Sequence, residues 1–157
     1  MHRRKKNYLS CFLWIATLLC VGSLIGWLSK PEVDGWYATL HRSALTPPDH
    51  VFPIAWTILY TLIALSGWHI WRSPPFPKLR KIKRLYLLQL LLNWSWMPLF
   101  FGFHWIEASL LCLLLMDAAV VMIVYCSLRR LPIVSLLMAP YLCWILFATY
   151  LNFYLFP

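Results

Sequence analysis

The sequence predicts an all-α integral membrane protein, a single bundle of five transmembrane helices with its N-terminus in the cytoplasm and its C-terminus outside. Three observations carry that expectation. The first is composition: of 157 residues, 62% are hydrophobic and 12% charged, and the mean hydropathy is +0.69. Soluble domains carry roughly 25% charged residues, so this chain has too little polar surface to cover a water-facing fold. The second is the presence of five apolar runs near residues 8–28, 51–71, 82–101, 106–127 and 133–154. Each approaches the ~20 residues needed to cross hydrocarbon. The third is the placement of charge. Four Lys/Arg precede the first run (Arg3, Arg4, Lys5, Lys6), six separate the second and third (Arg72, Lys78, Arg80, Lys81, Lys83, Arg84) and two separate the fourth and fifth (Arg129, Arg130). Only Lys30 and Arg42 fall on the opposite side, which is the positive-inside bias.

That distribution also decides what the net charge of +9 means. Basic residues gathered at the ends of apolar runs set orientation and meet anionic lipid headgroups. They do not form the continuous basic face that nucleic acid requires, so no nucleic-acid partner is expected. Membrane lipid is the expected surrounding. The chain reads as one domain over 1–157, with short connections that leave no room for a soluble module.

The first run has no A-x-A-like cleavage site in "GSLIGWLSK" and reads as a retained span. It contains Gly22 and Gly26 in a G-x-x-x-G, which lets a second helix approach closely, either within the chain or in a homodimer. The connection 29–50 is the longest. Its "GWYATLHRSAL" is amphipathic enough for a short helix across the mouth of the bundle, and Pro47-Pro48 stiffens the entry to the second run. It is expected to be a lid or a plain connector.

The second run carries Trp56 and Tyr60 one turn apart on one face, and ends in Trp68 and Trp71, expected as interfacial anchors. The third contains "LLNWSWMPLFFG", in which Asn93 and Trp96 share a face and Pro98 removes one backbone hydrogen bond. An amide at that depth needs a partner, from a neighbouring helix, a freed carbonyl or a ligand. The fourth carries Asp117, whose charge at mid-membrane would cost roughly 2.5–3.5 kcal/mol, so it is expected to face the bundle interior. The fifth presents Trp144, Ala148 and Asn152 at i, i+4 and i+8, flanked by Tyr141 and Phe147. Such a stripe either packs solidly or leaves space for a planar guest. The five cysteines have neither zinc nor C-x-x-C spacing and read as small packing residues. No metal site, cofactor or catalytic residue is expected.

Three stretches, "GWYATLHRSALTPPDHVFPIAWTILY", "LNWSWMPLFFG" and "PYLCWILFATYLN", resemble in order and spacing the tryptophan-rich sensory protein family, also called the translocator protein or peripheral-type benzodiazepine receptor family. The resemblance covers roughly 8–154. It implies a homodimeric five-helix bundle with a pocket near one membrane face, closed by the 29–50 loop. It implies binding of porphyrins such as protoporphyrin IX, of isoquinoline carboxamide and benzodiazepine drugs and, in animal members, of cholesterol. Carried over by motif, the expected ligand-binding residues include Trp36, Tyr37, Trp56, Asn93, Trp96, Trp144, Phe147 and Ala148, to which the aromatic faces add Tyr60 and Tyr141. Ala148 is a small position where added bulk reduces binding in the family. The chain departs from the pattern at Leu45, where the family has Trp, and at Pro53, where the proline has moved by one. It also lacks the basic residue that completes the animal cholesterol motif after its last tyrosines.

The expected function is that of a porphyrin receptor or sensor in a bacterial inner membrane, a compartment favoured by the charge placement and the absence of a transit peptide. Alternatives are a light-dependent porphyrin-degrading enzyme with tryptophans as redox partners, a transporter of porphyrin-like or sterol-like molecules, and a stress-regulated scaffold.

Overall fold

The computed structural model describes residues 2–156, with side chains from residue 7 onward, so the Arg3–Lys6 cluster lies outside the described side chains. All regular secondary structure among the described residues is helical. The order is α1 (His2–Asp34), α2 (Trp36–Thr39), α3 (Val51–Arg72), α4 (Leu79–Met97), a π-helical turn (Pro98–Gly102), α5 (Ile106–Ser127) and α6 (Pro132–Tyr154). Prolines punctuate it. Pro53 sits in the first turn of α3, where its missing N–H has no intrahelical partner to lose. Pro132 occupies the first turn of α6 in the same way. The segment 73–78, with Pro74, Pro75 and Pro77, separates α3 from α4.

Two expectations are corrected here. Among the described residues, four helices are long and apolar enough to cross a membrane, not five: Asn7–Asp34, Val51–Arg72, Ile106–Ser127 and Pro132–Tyr154. The run expected at 82–101 is divided in the structure. Its α-helix starts at Leu79 and bears Arg80, Lys81, Lys83 and Arg84 in the first two turns, then stops at Met97. The apolar remainder, 85–97, is about 20 Å long at 1.5 Å per residue, against roughly 30 Å of hydrocarbon. The opposite-side placement of the termini depends on five crossings and falls with that count. The second correction concerns the loop. α1 continues through Pro31 to Asp34, and the Gly35 N–H donates to the Pro31 carbonyl at 2.9 Å. The connection is therefore 35–50, and its helix is a single four-residue turn, shorter than the stretch expected.

The five long helices close into a ring. α4 packs along α5, α5 along α6, α6 along α3 and α3 along α1, while α1 and α4 meet more sparsely. One end of the ring is solid. Ile63, Ala64, Ile70, Ile82, Tyr86, Val120, Ile123, Met138 and Ile145 are fully buried there. Gly67 makes this possible, because a Cβ on it would strike Tyr86 and Trp14. Tyr86 donates its hydroxyl to the Ile63 carbonyl at 2.8 Å. Trp14, Trp71 and Tyr86 form a three-ring cluster, with centroids 5.3–6.0 Å apart, that ties α1, α3 and α4 together. Trp71 packs in this cluster while remaining 37% exposed, and Trp68 donates its N–H to Ser10 Oγ at 3.0 Å and lies under Arg72. Two cysteines, Cys112 and Cys126, are buried; Cys20 and Cys143 are exposed.

Candidate ligand cavity

At the other end the ring does not fill. A cavity of about 470 Å³ lies between the C-terminal half of α1, the N-terminal half of α3, the π turn with the end of α4, and the C-terminal half of α6. Its volume falls in the roughly 300–1,000 Å³ range of small-molecule sites.

The walls follow from residue choice along each helix. Gly22 on α1 has no side chain because the Tyr60 ring occupies that space, and a Cβ would collide with it. One turn on, Gly26 faces open space, since a Cβ there would meet nothing within 4 Å. The G-x-x-x-G thus admits an aromatic ring at one glycine and widens the cavity at the other. From α3 come Phe52, Trp56 and Tyr60, with the Trp56 and Tyr60 rings 5.4 Å apart. From α6 come Trp144, Phe147 and Ala148, and Trp144 meets Phe52 edge-on at 6.0 Å across the α3–α6 seam. Asn93, Trp96, Phe100 and Phe101 complete the wall, with the Trp96 and Phe100 rings stacked at 5.4 Å. The exposed lining residues Ser23, Trp27 and Lys30 of α1 and Pro53 and Thr57 of α3 mark an exposed edge of the cavity along those two helices.

A polar chain stands behind the aromatic surface. Tyr60 donates its hydroxyl to Asn93 Oδ1 at 2.5 Å. Asn93 Nδ2 donates to the Tyr141 hydroxyl at 3.0 Å, and that hydroxyl donates to Met116 Sδ at 3.2 Å. The amide of Asn93 therefore joins α3, α4 and α6, and each group supplies what its neighbour would otherwise lack in an apolar interior. Asn152 Nδ2 donates to Ser109 Oγ at 2.8 Å, tying α6 to α5. Trp96 Nε1 and Asn152 Oδ1 have no hydrogen-bond partner among the described residues. Asp117 is only 7% exposed and accepts a hydrogen bond from Thr149 Oγ1 at 2.7 Å, outside the cavity.

The mouth is roofed by the 35–50 connection. Tyr37 points in and is buried against Phe100 and Phe101. Burial raises its phenol above the ordinary value, with the nearby Arg42 opposing. Arg42 lies over the Tyr37 ring at 5.1 Å and reaches Asp49 at 3.5 Å. Ser43 Oγ and the Tyr150 hydroxyl, 3.2 Å apart, pin the far part of the connection to α6.

Of the ten residues expected to meet a ligand, Tyr37, Trp56, Tyr60, Asn93, Trp96, Trp144, Phe147 and Ala148 line this cavity. Trp36 and Tyr141 do not. Trp36 packs outside, between Phe100 and His104, and Tyr141 is fully buried behind Asn93. The lining also includes Gly22, Gly26, Phe52, Phe100 and Phe101, which sequence reasoning did not assign to a ligand. The two phenylalanines were visible in "MPLFFG", but the π turn that aims them is set by backbone geometry.

A model of the TspO/MBR family matches residues 14–156. The chain belongs to this family. It is 36% identical over 148 residues to the tryptophan-rich protein TspO of Archaeoglobus fulgidus, covering 94% of this chain and 95% of that one. It is 34% identical over 128 residues to the tryptophan-rich sensory protein of Cereibacter sphaeroides, covering 82% and 78%. It is 32% identical over 120 residues to the human translocator protein, covering 75% and 71%. Together with its apolar helices, membership makes it an integral, multi-pass membrane protein.

Proposed function

We propose that this TspO/MBR protein is a receptor for flat, apolar tetrapyrroles of the protoporphyrin IX class, held in the aromatic cavity, with a sensory or regulatory outcome rather than catalysis. One observation carries the reading: the rings of Trp56, Trp96 and Trp144, from three helices, line one hollow whose wall includes the exposed residues Ser23, Trp27, Pro53 and Thr57. Conjugated guests stack on indole faces, and an exposed edge lets a membrane-dissolved molecule enter without crossing water. No cofactor has a role in this reading. A homodimer in a bacterial inner membrane fits the family resemblance. Gly22 is already engaged by Tyr60, so a second copy would dock on another face.

The test is a titration of detergent-solubilised protein with protoporphyrin IX, followed by quenching of tryptophan fluorescence. Saturable quenching is expected, and a Trp96→Ala, Trp144→Ala variant should bind about five- to 150-fold more weakly, since each lost stacking contact contributes on the order of 0.5–1.5 kcal/mol. Equal affinity in that variant would refute the site. Porphyrin absorbance that bleaches under light faster with protein than in detergent alone would favour the degrading enzyme instead.

A further inference from the structure

The turn between the π segment and α5 carries an unusual residue. His104 has φ 56°, inside the left-handed region, and is the one non-glycine residue with positive φ among those described. Glycine is the residue that adopts this backbone freely, and a side chain held there marks a constraint that something else must maintain. Here the side chain makes two contacts. The imidazole lies flat on the Trp36 indole, centroids 4.0 Å apart and planes at 15°, and His104 Nε2 reaches Glu32 Oε2 at 3.0 Å.

Those contacts lead inward. Trp36 meets Phe100 edge-on at 5.4 Å, and Phe100 stacks on Trp96, an indole of the cavity wall. Tyr37, the next residue, is the lid's inward side chain. Glu32 belongs to the last turn of α1, His104 to the turn before α5, and Trp36 to the short helix between α1 and α3. A helix of four residues has no stability of its own. Its position has to come from what it touches.

We propose that His104 and Glu32 are positioning residues that clamp Trp36, and through it Tyr37 and Phe100, over the mouth of the cavity, so that they govern how long a bound guest stays. The clamp acts on the near end of the lid, because the far end is held separately by Ser43 and Tyr150. Its size is bounded. The His104–Glu32 contact is about 40% exposed on both sides (39% and 42%), and polar contacts that exposed contribute little. The ring stack adds a modest increment. Together they account for an effect of roughly three- to tenfold.

His104→Gly is the informative variant. It removes the ring but suits the backbone, so the turn keeps its path and thermal stability is expected to be unchanged or higher. Hydrogen exchange on the ligand-free protein should then show a peptide covering residues 36–40 exchanging roughly three- to tenfold faster, with the segment around 43–46 unchanged as an internal control. Glu32→Gln, which keeps a hydrogen-bonding group but removes the charge, should give a smaller change in the same peptide. For the second readout, which rests on the ligand-binding reading, protoporphyrin IX should dissociate faster from His104→Gly by a similar factor. Unchanged exchange at 36–40 in both variants would overturn the clamp. If protoporphyrin IX fails to bind even the unmodified protein, the ligand reading falls, while the exchange measurement still decides the clamp.

Discussion

Asn93 shows at the scale of one residue why a polar group can sit deep in an apolar helix. Its amide is 3% exposed and is used in both directions, accepting from Tyr60 and donating to Tyr141. Replacing it with Leu would strand the buried Tyr60 hydroxyl and leave the Tyr141 hydroxyl with only its bond to Met116 Sδ. Hydrogen bonds between membrane helices average about 0.6 kcal/mol, but orphaning a buried partner costs about 1–3 kcal/mol. Asn93→Leu is therefore expected to lower stability by about 1–3 kcal/mol, read as a fall in midpoint of thermal or denaturant unfolding in detergent. Tyr141→Phe, which leaves the Tyr60–Asn93 bond intact, should cost less. The need for a partner was legible from the sequence, because an amide in that setting must be satisfied. Which partner was not, since Tyr60 and Tyr141 lie 33 and 48 residues away and only the rotation of three helices brings them together. Gly22 teaches the same lesson. Its spacing to Gly26 announces a close approach, and the structure shows the approaching group to be a tyrosine ring of the same chain.

At the scale of the element, the end of α4 was the hardest part to foresee. A hydropathy pattern runs smoothly through 82–101, but the backbone breaks where Pro98 cannot donate to the Trp94 carbonyl. The chain answers with a π turn, in which Phe103 N–H donates to the Pro98 carbonyl at 3.0 Å. A π turn holds one more residue than an α turn, so residues within it are shifted around the axis relative to an α-helix, and Phe100 and Phe101 lie within it. Pro98→Ala would restore the missing donor and a better helix former. Stability is expected to hold or rise slightly, while protoporphyrin IX binding weakens because the two phenylalanines turn away from the hollow. An unchanged affinity with unchanged stability would mean that the π turn persists without proline. Arg80 and Lys81 fall outside the apolar run 82–101, yet they are helical, as are Lys83 and Arg84. Lys83 lies over Trp71 at 5.5 Å, and just before the helix Lys78 lies over Tyr125 at 5.3 Å. Long basic side chains can begin a helix when aromatic faces receive them, a condition that depends on tertiary placement and leaves no local trace.

For the whole molecule, the contrast between a filled end and a hollow end decides what a given change in volume does. The aromatic stripe on α6, read alone, favours solid packing over space for a guest. Helix order and aromatic faces were legible, but the ring order and the exposed edge of the cavity along α1 and α3 were not, because they depend on how all the long helices close together. Two alanines put the contrast to the test. Ala64 on α3 is fully buried in the solid end, and Ala148 on α6 borders the cavity. Phe at position 64 has nowhere to go and is expected to destabilise the protein by about 1–3 kcal/mol or more. Phe at position 148 enters existing space, so unfolding should be unaffected or shifted upward, and protoporphyrin IX affinity should fall by at least about tenfold as the guest loses room and stacking area. The two substitutions add the same side chain to the same kind of residue. If Ala148→Phe proved as destabilising as Ala64→Phe, the upper half of the ring would have to be packed as tightly as the lower. The indoles of Trp56, Trp96 and Trp144 would then be core residues, with no room between them for a ligand.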